Sequence, residues 1–256
     1  MVPIWILLAA VAWLGLIALS RWVIVNPRGG EGGVDAGLLL LFIRVYAKLV
    51  HRVRYDGLAY VRAVEDERPL IVVCNHTAGV DPILVQNATR RFEPRWMMAS
   101  DMRVAVLEPF WRYTQIIDVA RFQGDPGSAR AALKHLKSGG VLGIFPEGGI
   151  ERPARMLLPF MPGVGLLIAR SKARVLPVLI EGTPQIDPAF AAIWTPSRSR
   201  VRFMTPIDYA AEGLPAADIA ADLQQRYEHW TGWAVNTRRT DGVGAPRAAP
   251  APVSAS

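Results

Sequence analysis

Cysteine is nearly absent from this sequence, whose 256 residues contain only Cys74. A single cysteine cannot form an internal disulfide, and no cysteine or histidine has partners at the spacing of zinc ligands. The sequence also lacks G-x-S-x-G, the turn that carries the nucleophilic serine of many hydrolases. These absences exclude a disulfide-stapled secreted domain and a zinc module, and we expect no metal site.

Acidic residues are outnumbered by basic ones, 22 against 29, which gives a formal net charge of +7. This balance favours an anionic partner, which could be nucleic acid, a lipid surface or a phosphorylated substrate. The hydrophobic fraction of 51% is too high for a disordered chain, and the length is sufficient for a large core. No basic and aromatic recognition motif is present, so we expect no nucleic-acid partner.

The N-terminal segment is strongly apolar and has no charged residue from Pro3 to Ser20. With its continuation to Val25 it would cover roughly 30 Å as a helix, the thickness of a bilayer's hydrocarbon core. A cleaved signal peptide is the alternative, but no Lys or Arg precedes the apolar run. The pattern therefore predicts that residues 1–26 form a transmembrane or membrane-anchor helix. Arg21 and Arg28 place the rest of the chain on the cytoplasmic side of a bacterial-type membrane.

A second apolar stretch, Leu38 to Ile43, is too short to span a membrane. Continued as a helix within residues 34–54, it places Arg44, Lys48 and Arg52 at four-residue spacing on one face. This pattern is typical of an amphipathic helix in the membrane interface, and also of a core-packing helix with a solvated charged face. The neighbouring N-terminal anchor favours the interfacial interpretation.

Residues 55–238 alternate short apolar runs with helical patterns. The predicted strands are 70–74, 95–99, 116–120, 141–145, 175–180 and 201–204. The clearest predicted helices are 128–137, with Ser128 as its N-cap, 163–172 and 217–234. This alternation predicts an α/β fold with a mostly parallel central sheet flanked by helices. Residues 239–256 are rich in Ala and Pro without periodicity, which predicts a disordered tail.

A histidine and an aspartate follow the predicted strand 70–74. His76 comes at the carboxyl end of that strand, and Asp81 lies near the start of the next helix, with Pro82 suited to its first turn. Five residues across such a turn can bring the carboxylate against the imidazole, where it would hold the tautomer and support positive charge. A histidine held in this way can deprotonate a hydroxyl. The alternative is an aspartate N-cap beside a loop histidine.

Two further groups follow other predicted strands. Glu147, Gly148 and Gly149 come after one strand, and the glycines permit close approach of a ligand to backbone N–H groups. Arg121 ends another strand, where its planar guanidinium could bind a phosphate. Ligand crevices in open parallel sheets lie at the edge formed by the carboxyl ends of the strands. The alternative for Glu147 is a strand-ending turn with the glutamate on the surface. The alternative for Arg121 is an ordinary surface arginine.

Four segments resemble, in order and spacing, the motifs of the phospholipid/glycerol acyltransferase family, of the 1-acyl-glycerol-3-phosphate acyltransferase type. They are Asn75-His76-x4-Asp81, the strand ending in Arg121, Phe145-Pro146-Glu147-Gly148 and Val175-Leu176-Pro177-Val178. The resemblance covers Leu70 to Gly182 and implies the glycerolipid acyltransferase fold. It also implies a membrane-bound enzyme that transfers a fatty acyl group from acyl-CoA or acyl carrier protein to the hydroxyl of a lysophospholipid such as 1-acyl-glycerol 3-phosphate.

The resemblance implies roles for individual residues. His76 would be the general base that deprotonates the acceptor hydroxyl, and Asp81 would orient and support it. The substrate-binding residues would be Asn75, Arg121, Glu147, Gly148, Gly149 and Arg152. The alkoxide would attack the thioester directly, with no acyl-enzyme and no cofactor other than the acyl donor. Membrane lipids, the lysolipid and the acyl donor would be the partners.

The sequence departs from the family pattern at two places. Gly149-Ile150 stand where the glycerophosphate acyltransferases have threonine and a basic residue, so Arg152 would make the phosphate contact from further along the loop. Met161 stands in place of a family lysine. Both changes concern the acceptor head and leave His76 and Asp81 in place. A lyso-aminolipid of the lyso-ornithine type is therefore an alternative acceptor. A non-catalytic lipid-binding protein on the same fold is a further alternative.

Overall fold

A computed structural model describes most of the chain. The described residues are 4–23, 34–89, 92–103, 108, 111, 114–120, 125–150 and 155–237. The predicted tail over 239–256 lies outside them, as do Arg121 and Arg152.

The helices and strands alternate through the main part of the chain. The helices are α1 (Ile4–Val23), α2 (Val34–Leu49), α3 (Leu58–Ala63), α4 (Asp81–Gln86), α5 (Pro126–Lys137), α6 (Gly163–Ser171), α7 (Tyr209–Glu212) and α8 (Ala216–Thr231). The strands are β1 (Arg54–Asp56), β2 (Leu70–Cys74), β3 (Arg95–Ala99), β4 (Ile117–Val119), β5 (Val141–Ile144), β6 (Met156–Leu157), β7 (Arg174–Glu181), β8 (Arg200–Phe203) and β9 (Ala234–Val235). Short 3₁₀ helices cover Ser100–Met102 and Ala189–Ile193.

All six predicted strands are present, each with bounds within one residue of the prediction. The helix predicted over 128–137 begins earlier, because Asp125 rather than Ser128 is its N-cap and accepts from the backbone N–H groups of Gly127 and Ser128. The helix predicted over 217–234 ends at Thr231, where Gly232 adopts the left-handed conformation that closes many helices.

The central sheet has seven strands within the described residues, in the order β1-β8-β7-β2-β5-β3-β4. From β7 to β4 the neighbouring strands all pair in parallel. β8 runs antiparallel to β7, and β1 pairs in parallel with β8. The prediction of a mostly parallel sheet is confirmed. Because β2 lies between β5 and β7, the residues that follow these three strands emerge side by side at one edge.

Helices cover both faces of this sheet. β2 is buried along its whole length, and its side chains alternate between two hydrophobic clusters. Ile71 and Val73 share one cluster with residues of α5, α6 and α8. Leu70 and Val72 share the other with residues of α3, α4 and the end of α2. Each aliphatic side chain buried in this way contributes about 1.5–3 kcal/mol of transfer free energy, so the central strands are fixed from both sides.

The N-terminal residues form α1, which lies against α2. Among the helices in the described part of the chain, none is long and apolar enough to cross a membrane. The transmembrane helix predicted within residues 1–26 is therefore not found.

α2 packs on the domain through its C-terminal end, where Ala47 is buried. The predicted helix over 34–54 ends at Leu49, and Lys48 of the predicted basic face is exposed near that end. Phe42, Val45 and Leu49 are 64%, 48% and 69% exposed, at positions that share one helix face. The end of α2 thus combines core packing with an exposed apolar stripe.

A buried polar cluster ties the end of α2 to the segment before β8. His51 is fully buried, with Nε2 2.7 Å from the Tyr46 hydroxyl and Nδ1 2.8 Å from Ser197 Oγ. Tyr46 donates its own proton to the carbonyl oxygen of Ile193, at 2.6 Å. Burial lowers the pKa of His51, which favours its neutral imidazole.

Gly57 and Gly213 give a matched test of packing at the edge of the sheet. Both have left-handed backbones, with φ of +71° and +68°. A Cβ at Gly57 would overlap the carbonyl oxygen of Phe203 in β8, whereas a Cβ at Gly213 would meet no atom within 4 Å. Alanine adds left-handed strain of about 1–2 kcal/mol at either position. The steric overlap with Phe203 adds a further destabilisation of about 1–3 kcal/mol, and only at Gly57.

We therefore expect Gly57→Ala to lower the free energy of unfolding clearly more than Gly213→Ala does, as measured by urea denaturation. Equal losses would contradict the close approach of Gly57 to β8.

Candidate active site

His76 and Asp81 meet at the carboxyl end of β2. Nδ1 of His76 lies 3.0 Å from Oδ2 of Asp81. The Asp81 side chain is fully buried, and the His76 side chain is 18% exposed, so the imidazole is open to the surroundings on one side. A carboxylate only accepts hydrogen bonds, so a neutral imidazole in this pair carries its proton on Nδ1 and has its basic lone pair on Nε2. The predicted contact is present, with the geometry of a general base.

The loop between β2 and α4 wraps around the Asp81 carboxylate. Oδ2 also accepts from the backbone N–H groups of Thr77 and Ala78, at 2.6 and 2.8 Å. Asp81 is the first residue of α4, and Val80 precedes it as an N-cap without a side-chain hydrogen bond. The carboxylate therefore faces back toward the loop and the histidine, unlike an aspartate that caps the helix from outside.

Glu147 lies beneath the same loop, nearly fully buried. Oε1 accepts from the backbone N–H of His76 at 2.7 Å, and Oε2 accepts from the backbone N–H of Leu158 at 2.7 Å. The carboxylate thus joins three segments: the turn after β5, the end of β2 and the residues after β6. These contacts give Glu147 a positioning function, while its predicted contact with substrate stays a prediction.

Asn75 is also fully buried and points toward β7. Its Nδ2 donates to the carbonyl oxygen of Ile180 at 3.0 Å, and its Oδ1 accepts from the Ile180 N–H at 2.7 Å. This pair of hydrogen bonds imitates the pairing of two strands and continues it past Cys74, the last residue of β2. Asn75 therefore fixes the residue that precedes His76.

An aromatic stack supports the imidazole. The ring of Phe145 lies 4.0 Å from the His76 ring, at an interplanar angle of 20°. Trp96 stacks on Phe145 at 5.1 Å and 19°. A Cβ at Gly143 in β5 would come within 2.5 Å of the Trp96 ring, so this position accommodates only glycine without a shift. Sequence reasoning missed this stack, although a glycine inside a buried strand is a signal of close approach.

The remaining predicted residues divide between exposed and undescribed positions. Gly148 and Gly149 form the turn after β5, where Gly148 is exposed and has a φ of +65°. Arg121 and Arg152 lie outside the described residues, and β4 ends two residues before Arg121, at the same edge of the sheet. Where the structure describes the chain, no cluster of His, Cys, Asp and Glu could hold a metal ion.

Two threonines at this edge were not predicted from the sequence. Oγ1 of Thr77 lies 2.5 Å from Oγ1 of Thr183, and both residues are buried. This contact joins the loop after β2 to the loop after β7. Neither threonine stands in a pattern that sequence alone would mark.

Comparison with known proteins identifies the family. The acyltransferase family model matches residues 52–181, half of the chain, and contains the whole cluster from Asn75 to Glu147. The chain belongs to the acyltransferase family, and it is an acyltransferase. The resemblance found in the sequence is thereby confirmed.

Several chains in solved structures match this fold. One of them belongs to the crystal structure of the 1-acyl-sn-glycerophosphate (LPA) acyltransferase, PlsC, from Thermotoga maritima, with a TM-score of 0.62 and 20% sequence identity. The likeness covers 86% of this chain and 87% of that chain. No curated protein sequence matches the chain.

Glu147→Gln tests whether this carboxylate holds the site together. A glutamine has one acceptor oxygen for two backbone N–H groups, so one N–H would face an amide that can only donate. We expect a loss of about 1–3 kcal/mol in the free energy of unfolding, measured by urea denaturation. Glu93→Gln is the control, because Glu93 is exposed and its loss should stay within about 0.5 kcal/mol. Equal stability of both variants would contradict the linking function of Glu147.

Proposed function

We propose that this acyltransferase transfers a fatty acyl group from acyl-CoA or acyl carrier protein to the hydroxyl of a lysophospholipid such as 1-acyl-glycerol 3-phosphate. The observation that carries the proposal is the partly exposed His76 imidazole, with Nδ1 3.0 Å from the buried Asp81 carboxylate. This pair suits the deprotonation of a hydroxyl, which an acyl transfer to an alcohol requires. Membership of the acyltransferase family supports the reaction type.

The reaction follows from the tautomer of His76. Nε2 removes the proton of the acceptor hydroxyl while the oxygen attacks the carbonyl carbon of the thioester. The Asp81 carboxylate stabilises the imidazolium that forms. The tetrahedral intermediate then collapses, the carbon–sulfur bond breaks, and the thiolate that leaves takes the proton from Nε2. The products are the ester and the free thiol, and His76 returns to its starting state.

A covalent acyl-cysteine intermediate has no support in this site. Cys74 is fully buried inside β2, on the side of the sheet that packs against α3 and α4. Burial raises the pKa of its thiol well above the usual value, which disfavours the reactive thiolate. Direct transfer from donor to acceptor agrees with this arrangement.

The acceptor head would bind beside the exposed turn at Gly148 and Gly149. Of the predicted phosphate contacts, Arg121 comes two residues after the end of β4 and Arg152 three residues after Gly149, and the net charge of +7 favours an anionic acceptor. The departure at Gly149-Ile150 keeps a lyso-aminolipid as the second candidate acceptor.

We further propose that the enzyme is bound to the membrane that holds its acceptor, on the cytoplasmic side. The exposed apolar side chains of α1 and α2 support this attachment, among them Val11, Trp13 and Leu14 in α1 and the stripe of Phe42 and Leu49 in α2. Exposed large apolar side chains in number are typical of proteins that bind a lipid surface.

His76→Ala tests the proposal. We expect a loss of about 10²- to 10⁴-fold in turnover, because the hydroxyl no longer has a base. The variants are reconstituted in lipid vesicles with acyl-CoA or acyl carrier protein as donor, and the diacyl product is measured by mass spectrometry. His229→Ala is the control, since His229 is exposed on α8 and should leave turnover unchanged.

The acceptor panel contains 1-acyl-glycerol 3-phosphate, other lysophospholipids and a lyso-ornithine lipid. Product from the glycerophosphate acceptor supports the main proposal, and product from lyso-ornithine alone supports the second acceptor. Turnover that survives His76→Ala would overturn the mechanism. Absence of product with either donor, in protein that still binds vesicles, would favour a non-catalytic lipid-binding protein.

A further inference from the structure

We propose that Tyr227 is a positioning residue for His76, which acts by fixing the end of β2 against β7 through its hydroxyl group. The inference rests on the proposed function of His76 as the general base. Tyr227 lies in α8, outside the residues 52–181 that match the family model. Its hydroxyl bonds to the backbone of β2 three residues before His76, so its effect would pass through that backbone.

The hydroxyl of Tyr227 contacts both strands. It donates to the carbonyl oxygen of Val73 in β2 at 2.7 Å and accepts from the backbone N–H of Val178 in β7 at 3.1 Å. A longer contact of 3.4 Å reaches the carbonyl oxygen of Val178. Tyr227 is fully buried, so no water competes for these groups. One side chain from a covering helix thus bonds to the backbone of two central strands.

These two backbone groups occupy one position of the β2–β7 ladder. The ladder begins with the Arg174 N–H, which donates to the carbonyl oxygen of Pro69 at 3.1 Å. In a parallel pair every second residue of a strand bonds to its neighbour, so the same alternation leads from Arg174 to Val178, opposite the carbonyl of Val73. The Tyr227 hydroxyl therefore binds the two backbone groups at the last regular position of the ladder before β2 ends.

Side chains continue the attachment beyond that position. Asn75 bonds to the backbone of Ile180 through both ends of its carboxamide, and Glu147 accepts from the N–H of His76. Val73, Asn75 and His76 are thus held by the hydroxyl of Tyr227, the carboxamide of Asn75 and the carboxylate of Glu147, respectively. The position of the histidine therefore depends on partners of the Val73 carbonyl, the Asn75 side chain and the His76 N–H.

The tyrosine ring is held as firmly as its hydroxyl. It packs edge-to-face on Phe160 at 5.1 Å and lies 5.5 Å from Trp230. Gln224, one turn earlier in α8, accepts from the Phe160 N–H at 2.9 Å. Burial raises the pKa of Tyr227 well above the usual value, so the hydroxyl keeps the proton that it donates. The ring supplies packing, and the hydroxyl supplies the link between strands.

Tyr227→Phe separates these two contributions, because it keeps the ring and removes the hydroxyl. We expect kcat to fall about 10- to 100-fold, since small displacements of a catalytic group have effects of this size. KM for donor and acceptor should stay within about twofold of the original, because Tyr227 is remote from both substrates. Both constants are measured in the vesicle assay, at a temperature where thermal unfolding shows the variant to be folded.

Tyr209→Phe is the matched control. Tyr209 is also buried, and its hydroxyl donates to the Asp222 side chain of α8 at 2.5 Å rather than to the backbone of β2. We expect this variant to lose stability and to keep kcat within about twofold. A similar fall in kcat for both variants would show a general effect of destabilised packing and overturn the proposal. Unchanged kcat in folded Tyr227→Phe would also overturn it.

His76→Ala in the same assay keeps this test separate from that of the proposed function. Full activity of His76→Ala refutes the proposed function, whereas loss there with unchanged Tyr227→Phe refutes only the positioning of His76 by Tyr227. If Tyr227→Phe does not fold, 3-fluorotyrosine at position 227 keeps ring and hydroxyl but weakens the hydroxyl as an acceptor. A lower kcat at unchanged KM is then expected, and an unchanged kcat overturns the proposal.

Discussion

The buried carboxylate of Asp81 determines the conformation of the loop after β2 and the orientation of the His76 imidazole. A carboxylate removed from water is stable only where hydrogen-bond donors replace the lost hydration. The backbone N–H groups of Thr77 and Ala78 and the Nδ1 of His76 supply these donors at 2.6, 2.8 and 3.0 Å. The loop after β2 must therefore curl around Asp81, and the imidazole must take the orientation that leaves Nε2 as its basic atom.

The sheet provides the frame that this loop requires. β2 is the strand between β5 and β7, buried on both faces, so its carboxyl end has little freedom to move. Asn75 and Glu147 direct their polar groups to backbone atoms of neighbouring segments, at 2.7–3.0 Å. Most polar side chains described at this site therefore bind the backbone, and few are placed to react with a substrate. The partly open imidazole of His76 is consequently well defined in position.

The sequence predicted the elements better than their mutual contacts. Strands such as β2 were predictable because uninterrupted apolar runs are typical of buried parallel strands, and the five-residue spacing of His76 and Asp81 predicted their contact. The order of the strands, the short β1, β6 and β9, and the stack of Trp96 on Phe145 depend on tertiary packing. The hydrogen bond from Tyr227 to Val73 joins residues 154 positions apart, and no local sequence pattern predicts it. The predicted span within residues 1–26 followed hydropathy alone, and no spanning helix is found in the described chain.

The most direct test of this account is the tautomer of His76, read from the ¹⁵N chemical shifts of its two ring nitrogens. Histidine-labelled protein at pH 8 has ordinary imidazoles in the neutral form. The four histidines are distinguished by substitution, with His76→Ala assigning the signal of interest. We expect Nδ1 to carry the proton and Asp81→Asn to disturb this preference. A proton on Nε2 in the unaltered protein would contradict it, because the imidazole would then have no lone pair for the acceptor hydroxyl.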